Sequence, residues 1–508
     1  MTLYSCVYAV ATFTLITGLL MFNTSTVLVF ITVSLLLWLS TRRPSGLPPG
    51  PPLLPLVGNI FSMDADITVT FSKLRRQYGD IFSVYIFNQP VIVLNGYSII
   101  KEALVKNADV FSHRPPSFLT DHFSKGKGLV FSTGSIWREH RKFSMSTLKE
   151  FGMGKTILED TIQEELSFFL QAIHECVDTD FDCSRTLNNA VANVISSLVS
   201  GKRFEYTDPL FVKFLKCLDE NVRNLHTANV LNFLPVVRHL PGDLFKFKQT
   251  LRNVSIIDKE IIRPFIYINT DNDDSSVTNF TSAYIKAMKH RHQQGQKTTM
   301  SDENLEKCLS DLFIAGSETT TTALRWGLAY FLNYPEVQEK CFKEIQEHIG
   351  QSRRPSIKDK INLPYVEATV AEILRCADIV PTNLPHSVSR DVEFRGYTFP
   401  EGITVLPMLS SVLKEPDVWG DPENFRPDRF LDTAVRFQKM NEHIAFSLGH
   451  RACLGEALAR MELFLFTASM IQQFEFRPAG GMCPSLKRLP GIVTHPQQFK
   501  MKAIPRTK

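Results

Sequence analysis

Apolar and polar positions divide this chain of 508 residues into unlike parts. From Leu3 to Ser40 no residue is charged, and two apolar runs, LYSCVYAVATFTLITGLLMF and VLVFITVSLLLWLS, flank the polar NTST at 23–26. The first run alone has the ~20 residues a helix needs to cross a bilayer. Arg42 and Arg43 follow the second run, which puts the rest of the chain on the cytosolic side. No basic stretch precedes the first run, so an uncleaved anchor fits better than a removable signal peptide. One crossing and a two-helix hairpin both satisfy the pattern. Next comes RPSGLPPGPPLLPLVGN at 43–59, with five prolines between 48 and 55, which predicts a stiff extended linker.

Beyond the linker the periodicity changes. Two β-rich apolar runs in DIFSVYIFNQPVIVLNG at 80–96 predict a hairpin broken at Asn88-Gln89-Pro90, and VEFRGYTFPEGITVLP at 392–407 reads the same way. Most of what lies between has helical spacing. A helix is expected from about Leu305 to Asn333, and another in NLPYVEATVAEILR at 362–375, with Val366, Val370 and Ile373 on one face and Asn362 as cap. Polar stretches at 269–279 and 289–304 are expected as surface loops, and no repeat of fixed period is visible. The expected fold is mainly α with small β-sheets. Its expected parts are an anchor over 1–41, a linker over 42–58 and a catalytic domain over 59–508.

Composition adds exclusions. A hydrophobic content of 44% and a charged content of 21% are those of an ordinary globular protein, and a net charge of +4 gives no support to nucleic-acid binding. Nine cysteines without a C-x-x-C pair argue against a disulfide framework or zinc site and for a reducing compartment. Neither a G-x-G-x-x-G fingerprint nor a P-loop is present, so no nicotinamide site is expected in the chain itself.

One cysteine stands apart, in FSLGHRACLG at 446–455. Gly449 and Gly455 clear side chains from both sides of Cys453, and Leu454, Leu458, Met461 and Leu465 begin a helical stripe just after it. At a helix amino terminus the backbone N–H groups favour a thiolate. Beside a space cleared for something flat, that thiolate suits an axial iron ligand under a porphyrin, with Arg451 available to a propionate. An inert buried cysteine is the ordinary fate of such a residue taken alone.

With Phe446, Gly449, Arg451, Cys453 and Gly455 in place, the chain resembles the cytochrome P450 family, whose haem-binding signature is F-x-x-G-x-R-x-C-x-G. The resemblance extends over residues 43–508. It implies haem b between two long helices, ligated by the Cys453 thiolate. In AGSETT at 315–320, it implies that Ala315 and Gly316 line the groove for dioxygen and that Glu318 and Thr319 deliver protons to it; Thr319 can also turn its hydroxyl back to the Ala315 carbonyl. Glu372 and Arg375 of EILR are expected to be buried with Arg429 of PDRF, as a folding element only. The haem propionates are expected to meet Trp137 and Arg141 of WREHR, Arg114 of SHRPP, His386 of PTNLPH, and Arg451.

The anchor and linker resemble the microsomal animal branch, nearest its family-2 type. The implied activity is insertion of one oxygen atom from dioxygen into a fatty acid, steroid or xenobiotic. Electrons would come from NADPH through NADPH-cytochrome P450 reductase, with cytochrome b5 as a second donor, at the endoplasmic reticulum membrane. Arg138, His140, Arg141 and Lys142 form a basic run suited to docking these partners. By the same resemblance the pocket is expected from 118–131, Ile314, Ala315, 380–382 and 491–493; Lys125 and Lys127 read first as parts of a solvated loop, with a substrate carboxylate near the entrance as the other role. The alternatives are a haem-thiolate isomerase or dehydratase acting on a peroxide, and a non-catalytic haem sensor. The intact Glu318-Thr319 pair speaks against the first, and cysteine rather than histidine ligation against the second.

Overall fold

β1 (Ile81–Ile86) and β2 (Gln89–Leu94) pair antiparallel with Ile86 opposite Gln89, so Phe87-Asn88 makes the turn, Phe87 at φ 54°. The expected break at Asn88-Gln89-Pro90 is therefore displaced. Pro90 belongs to the strand because it lies ahead of Val91, the first residue to pair with the next strand, where a missing N–H costs no ladder bond. β3 (His386–Ser387), β4 (Val392–Phe394), β5 (Tyr397–Phe399) and β6 (Thr404–Pro407) follow downstream. The first sheet has the order β1-β2-β6-β3, while β4 and β5 form a hairpin of their own. Arg395 and Gly396 turn that hairpin at φ 54° and 82°, the positive values that match strand twist in a two-residue loop. Residues 392–407 are thus a hairpin plus a strand given to another sheet. β7 (Phe474–Pro478) pairs with β8 (Met501–Pro505).

This computed structural model describes residues 41–153, 156–270 and 277–506, with 26–29, 31–33 and 35. The anchor expected over 1–41 falls almost entirely outside the described residues. Among the described residues no helix is long and apolar enough to cross a membrane.

Six helices position the site: α1 (Gly134–Glu150), α2 (Ser184–Ser200), α3 (Pro209–Ala228), α4 (Asp302–Asn333), α5 (Pro364–Ala377) and α6 (Glu456–Gln473). α4 has 32 residues, about 48 Å of helix. It starts where the Ser301 side chain accepts from the Asn304 amide and acidic Asp302 and Glu303 occupy the first turn. Its second half is buried from Thr320 to Leu332 except at Arg325, in one core with the apolar residues of α2, α5 and α6. The stretch 289–304 is accordingly less of a loop than expected, since helix Phe280–Gln293 enters it and α4 begins within it. α5 starts at Pro364, whose fixed φ and missing N–H suit a first helical position. Asn362 therefore closes the preceding short 3-10 helix and does not cap α5.

Two features outside the site fix its frame. Glu372 and Arg375 are fully buried, and Arg375 Nε donates to Glu372 Oε2 at 2.7 Å. Arg429 Nε donates to Glu372 Oε1 at 2.9 Å, while Asp428 turns outward to Lys340. The proline-rich segment lies along β1, since the Ser83 amide donates to Pro49 O at 2.8 Å and Arg43 donates to Ser83 O at 3.1 Å and Pro51 O at 2.5 Å.

Candidate functional site

Gly449 adopts φ 75°, and a Cβ there would collide with the Leu104 carbonyl. This glycine is required by a close backbone approach, not by clearance beside the sulfur. Gly455, the residue that caps α6, has nothing within 4 Å of the position its Cβ would take, so it does face open space. Cys453 lies two residues before that cap, slightly ahead of the helix, and its amide donates to Phe446 O at 2.9 Å. Its surface is exposed, yet burial among protein atoms pushes its thiol up, opposed by the Gly455 N–H and by Arg141 and Arg460. Phe446 is partly buried against the core, with the Arg460 guanidinium 4.9 Å from its ring centre.

On α4 the expected groove residues separate. Ile314 and Ala315 are exposed in the middle of a helix whose neighbours Phe313 and Ser317 are buried. Thr319 Oγ1 donates back to Ala315 O at 2.7 Å, as expected. Gly316 points the other way. Its missing Cβ would meet Ile195 of α2, so this glycine serves helix approach and leaves no room for a ligand. Glu318 also leaves the Thr319 face, with its carboxylate 3.6 Å from His495 Nδ1. Burial and then Asp219 push the Glu318 carboxyl up to about 7, against Arg325 and Arg223.

The anion-binding residues come together. Arg114 donates to Val130 O at 3.1 Å and to Pro385 O at 2.7 Å, and Arg451 donates to Ser112 O at 2.8 Å and Ser132 O at 2.6 Å while lying 3.9 Å over the Trp137 ring. Arg141 donates to Ala452 O at 2.5 Å. His386 must carry its hydrogen on Nδ1, which faces Phe111 O at 2.7 Å. Trp137 Nε1 and His386 Nε2 are buried without partners among the described residues. Among the described residues, none of the three arginines has a carboxylate partner. Burial and mutual repulsion press Arg114 down to about 9 and Arg451 down to about 8, and burial with Arg114 presses His386 down to about 3. A guanidinium keeps its charge under such pressure, so relief comes from an anion. A flat group bearing two carboxylates, with Cys453 and the Gly455 opening nearby in sequence to Arg451, fits this donor set.

The basic run on α1 divides. His140 is buried against the Tyr284 hydroxyl at 2.8 Å and Arg141 points inward, which leaves Arg138 and Lys142 exposed one turn apart. Lys127 forms an ion pair with Glu303 and is not free for a substrate carboxylate. Two groups escaped the sequence reading. Asp311 Oδ2 accepts from the Leu129 and Val130 amides at 2.7 and 3.0 Å, clamping the loop whose carbonyls hold Arg114 and Arg451; burial pushes its carboxyl up to about 6 against those amides and Lys307. An aspartate inside the apolar CLSDLFIAG was the available signal. Glu139, two residues after Trp137, accepts from the Thr298 hydroxyl at 2.6 Å and the Thr299 amide at 2.7 Å, tying α1 to the segment that leads into α4.

The family described as Cytochrome P450 matches residues 48–503. Among curated proteins, the chain is 37% identical over 496 residues to "Cytochrome P450 2C23" of Rattus norvegicus, covering 96% of this chain and 100% of that one. It is 39% identical to "Cytochrome P450 2D26" of Rattus norvegicus, covering 90% and 93%. It is 37% identical to "Cytochrome P450 2J2" of Homo sapiens, covering 92% and 93%.

Proposed function

The chain belongs to the cytochrome P450 family and is a haem monooxygenase, and from that premise we propose that Cys453 ligates the iron, that a lipophile is the substrate, and that NADPH supplies electrons through a separate reductase. The observation that carries the site is the nest of Arg114, Arg141 and Arg451, which has no carboxylate partner among the described residues and meets the cysteine's own segment, Arg451 two residues before Cys453 and Arg141 on the Ala452 carbonyl. Arg114, Arg141, Arg451, Trp137 and His386 would hold the propionates, and Phe446 and Gly455 would border the ring. Haem held through a thiolate supplies reductive activation of dioxygen.

The chain's own residues then do three things. The back-bond of Thr319 to Ala315 fixes its hydroxyl hydrogen and leaves the oxygen as an acceptor toward the exposed Ala315 face. Burial pushes the Glu318 carboxyl up to about 7, so near neutral pH it can both hold a proton and give one up. Ile314 on α4, and Phe131 and Ile492 on loops, expose apolar surface, which suits area-driven binding of a lipophile. Residues 1–41 would anchor the body to the endoplasmic reticulum membrane, 42–58 would join it and 59–508 would form the catalytic domain. Arg138 and Lys142 are the outward residues that would meet an acidic redox partner, whether the reductase or cytochrome b5.

The test reconstitutes the full chain with haem, NADPH and a microsomal reductase under isotopically heavy dioxygen, with fatty acids, steroids and xenobiotics chosen by their effect on the iron's spin-state absorbance. A product carrying one heavy oxygen, formed only with reductase present, is the expected result. Turnover of a peroxide substrate without reductase, and none with it, would sink the reading.

A further inference from the structure

Thr319 uses its hydroxyl on its own helix, but Glu318 and Thr322, one turn apart on α4, share an external partner. His495 Nδ1 lies 3.2 Å from Thr322 Oγ1 and 3.6 Å from Glu318 Oε1. Its backbone bridges to Leu489 with bonds of 3.2 and 2.8 Å. The residue before it is fastened as well: Trp326 Nε1 donates to Thr494 O at 3.1 Å, and the Thr494 amide and hydroxyl donate to Ile379 O at 2.8 Å and Asp378 O at 2.9 Å. The loop therefore presents the ring to α4 from a fixed base. The His495 side chain keeps 23% of its surface accessible and Glu318 keeps 18%.

We propose that His495 is a positioning residue for the proton donor, holding the Glu318 carboxyl in place and returning its proton after each delivery. One proton enters the ring at Nε2 from water, one leaves Nδ1 for the carboxylate, directly or through the Thr322 hydroxyl, and tautomer exchange with water restores the neutral ring. This rests on the reading of Glu318 as the proton donor.

The charges around the pair suit it. Asp219 and Arg223 face it from α3, and Arg325 from α4. Burial, then Arg325, pushes His495 down to about 4, with Arg223 adding to that pressure and Asp219 opposing it, so the ring is neutral near pH 7. A neutral imidazole has one N–H and one lone pair, and can donate to an ionised Glu318 or accept from a protonated one. An ammonium or guanidinium in its place would only trap the ionised form.

The experiment uses the full chain with haem bound and its ferrous carbon monoxide spectrum checked in every variant. The infrared carbonyl band of the protonated Glu318 carboxyl, identified by its loss in Glu318→Gln, is recorded across pH. His495→Val should move the band to higher wavenumber, because an acid without a hydrogen-bond partner has a stiffer C=O. His495→Asn, which keeps a polar group near Nδ1, should leave it close to wild type. In parallel, peroxide released per NADPH is measured with reductase and no added substrate. Both His495 variants should raise it about twofold or more, since neither can relay a proton. Support requires the band shift in His495→Val and the peroxide rise in both variants; either result alone overturns the proposal. If Glu318→Gln leaves the peroxide ratio unchanged, the reading of Glu318 itself has failed.

Discussion

Replacing Glu372 with Gln removes the one negative charge from a buried group of three. Its Oε1 accepts from Arg375 Nη2 at 2.8 Å, Arg429 Nε at 2.9 Å and the Arg426 amide at 2.9 Å, and its Oε2 accepts from Arg375 Nε at 2.7 Å. Glu372 and Arg375 have no accessible side-chain surface, and Arg429 keeps 5%. A unit charge pair ~4 Å apart is worth about 4 kcal/mol at an effective dielectric of ~20. Gln also turns an NH2 toward guanidinium donors. Breaking a buried pair from one side costs about 3–5 kcal/mol. If the triad is intact when inactivation begins, loss of haem absorbance in detergent should accelerate about a hundredfold to a few thousandfold at fixed temperature. Asp428→Asn is the control, since the Lys340–Asp428 pair leaves 53% and 59% of the two side chains accessible, and it should change the rate less than about fivefold. A Glu372→Gln rate within about threefold of wild type would put the triad below ~0.7 kcal/mol and refute the reasoning.

Gly449→Ala should abolish stable haem retention, because the new Cβ needs a positive φ and overlaps a main-chain carbonyl that cannot swing aside; normal haem content would refute it. Thr319→Ala should keep the ferrous carbon monoxide spectrum and raise peroxide per NADPH several-fold, and an unchanged ratio would remove the hydroxyl from proton delivery. Burial alone would raise the Glu139 carboxyl, but the hydroxyls of Thr298 and Thr299, the Thr299 amide and Arg291 hold it down to about 2. A depressed carboxylate stabilises the fold fully above its unfolded value near 4.5, and that stability is lost as pH falls toward 2. Thr299→Val should therefore raise the midpoint of acid unfolding followed by circular dichroism, and an unmoved midpoint would show that the clamp does not contribute.

What could be read from the sequence was what local order encodes. Apolar β-rich runs announced β1 and β2, missing their turn by about a residue because Pro90 is tolerated ahead of Val91, where β6 has not yet joined. The residues around Cys453 are contiguous, so their pattern was visible, yet the reason for Gly449 was not, since Leu104 lies hundreds of positions away. The same holds for Gly316, which answers to Ile195 on another helix. Asp311 and the Leu129 amide are 182 positions apart, and no periodicity links an acceptor to a donor at that distance. The division of the α1 basic run, with Arg141 inward and Lys142 outward, follows from rotation about a helix whose buried face had not been fixed by sequence alone.

α4 carries Asp311, Ala315, Glu318, Thr319 and Thr322 within three turns and without interruption. A helix counts by angle, with one residue worth about 100°. A single inserted or deleted codon between Asp311 and Thr322 would leave composition almost unchanged, yet would rotate the later groups relative to the earlier ones, so that Asp311 could no longer hold Leu129 and Val130 while Thr322 meets His495 and Trp326 meets Thr494. Substitutions here can be graded in their effects, but length cannot. Descendants of this gene can vary the chemistry along these twelve positions only while keeping their number fixed.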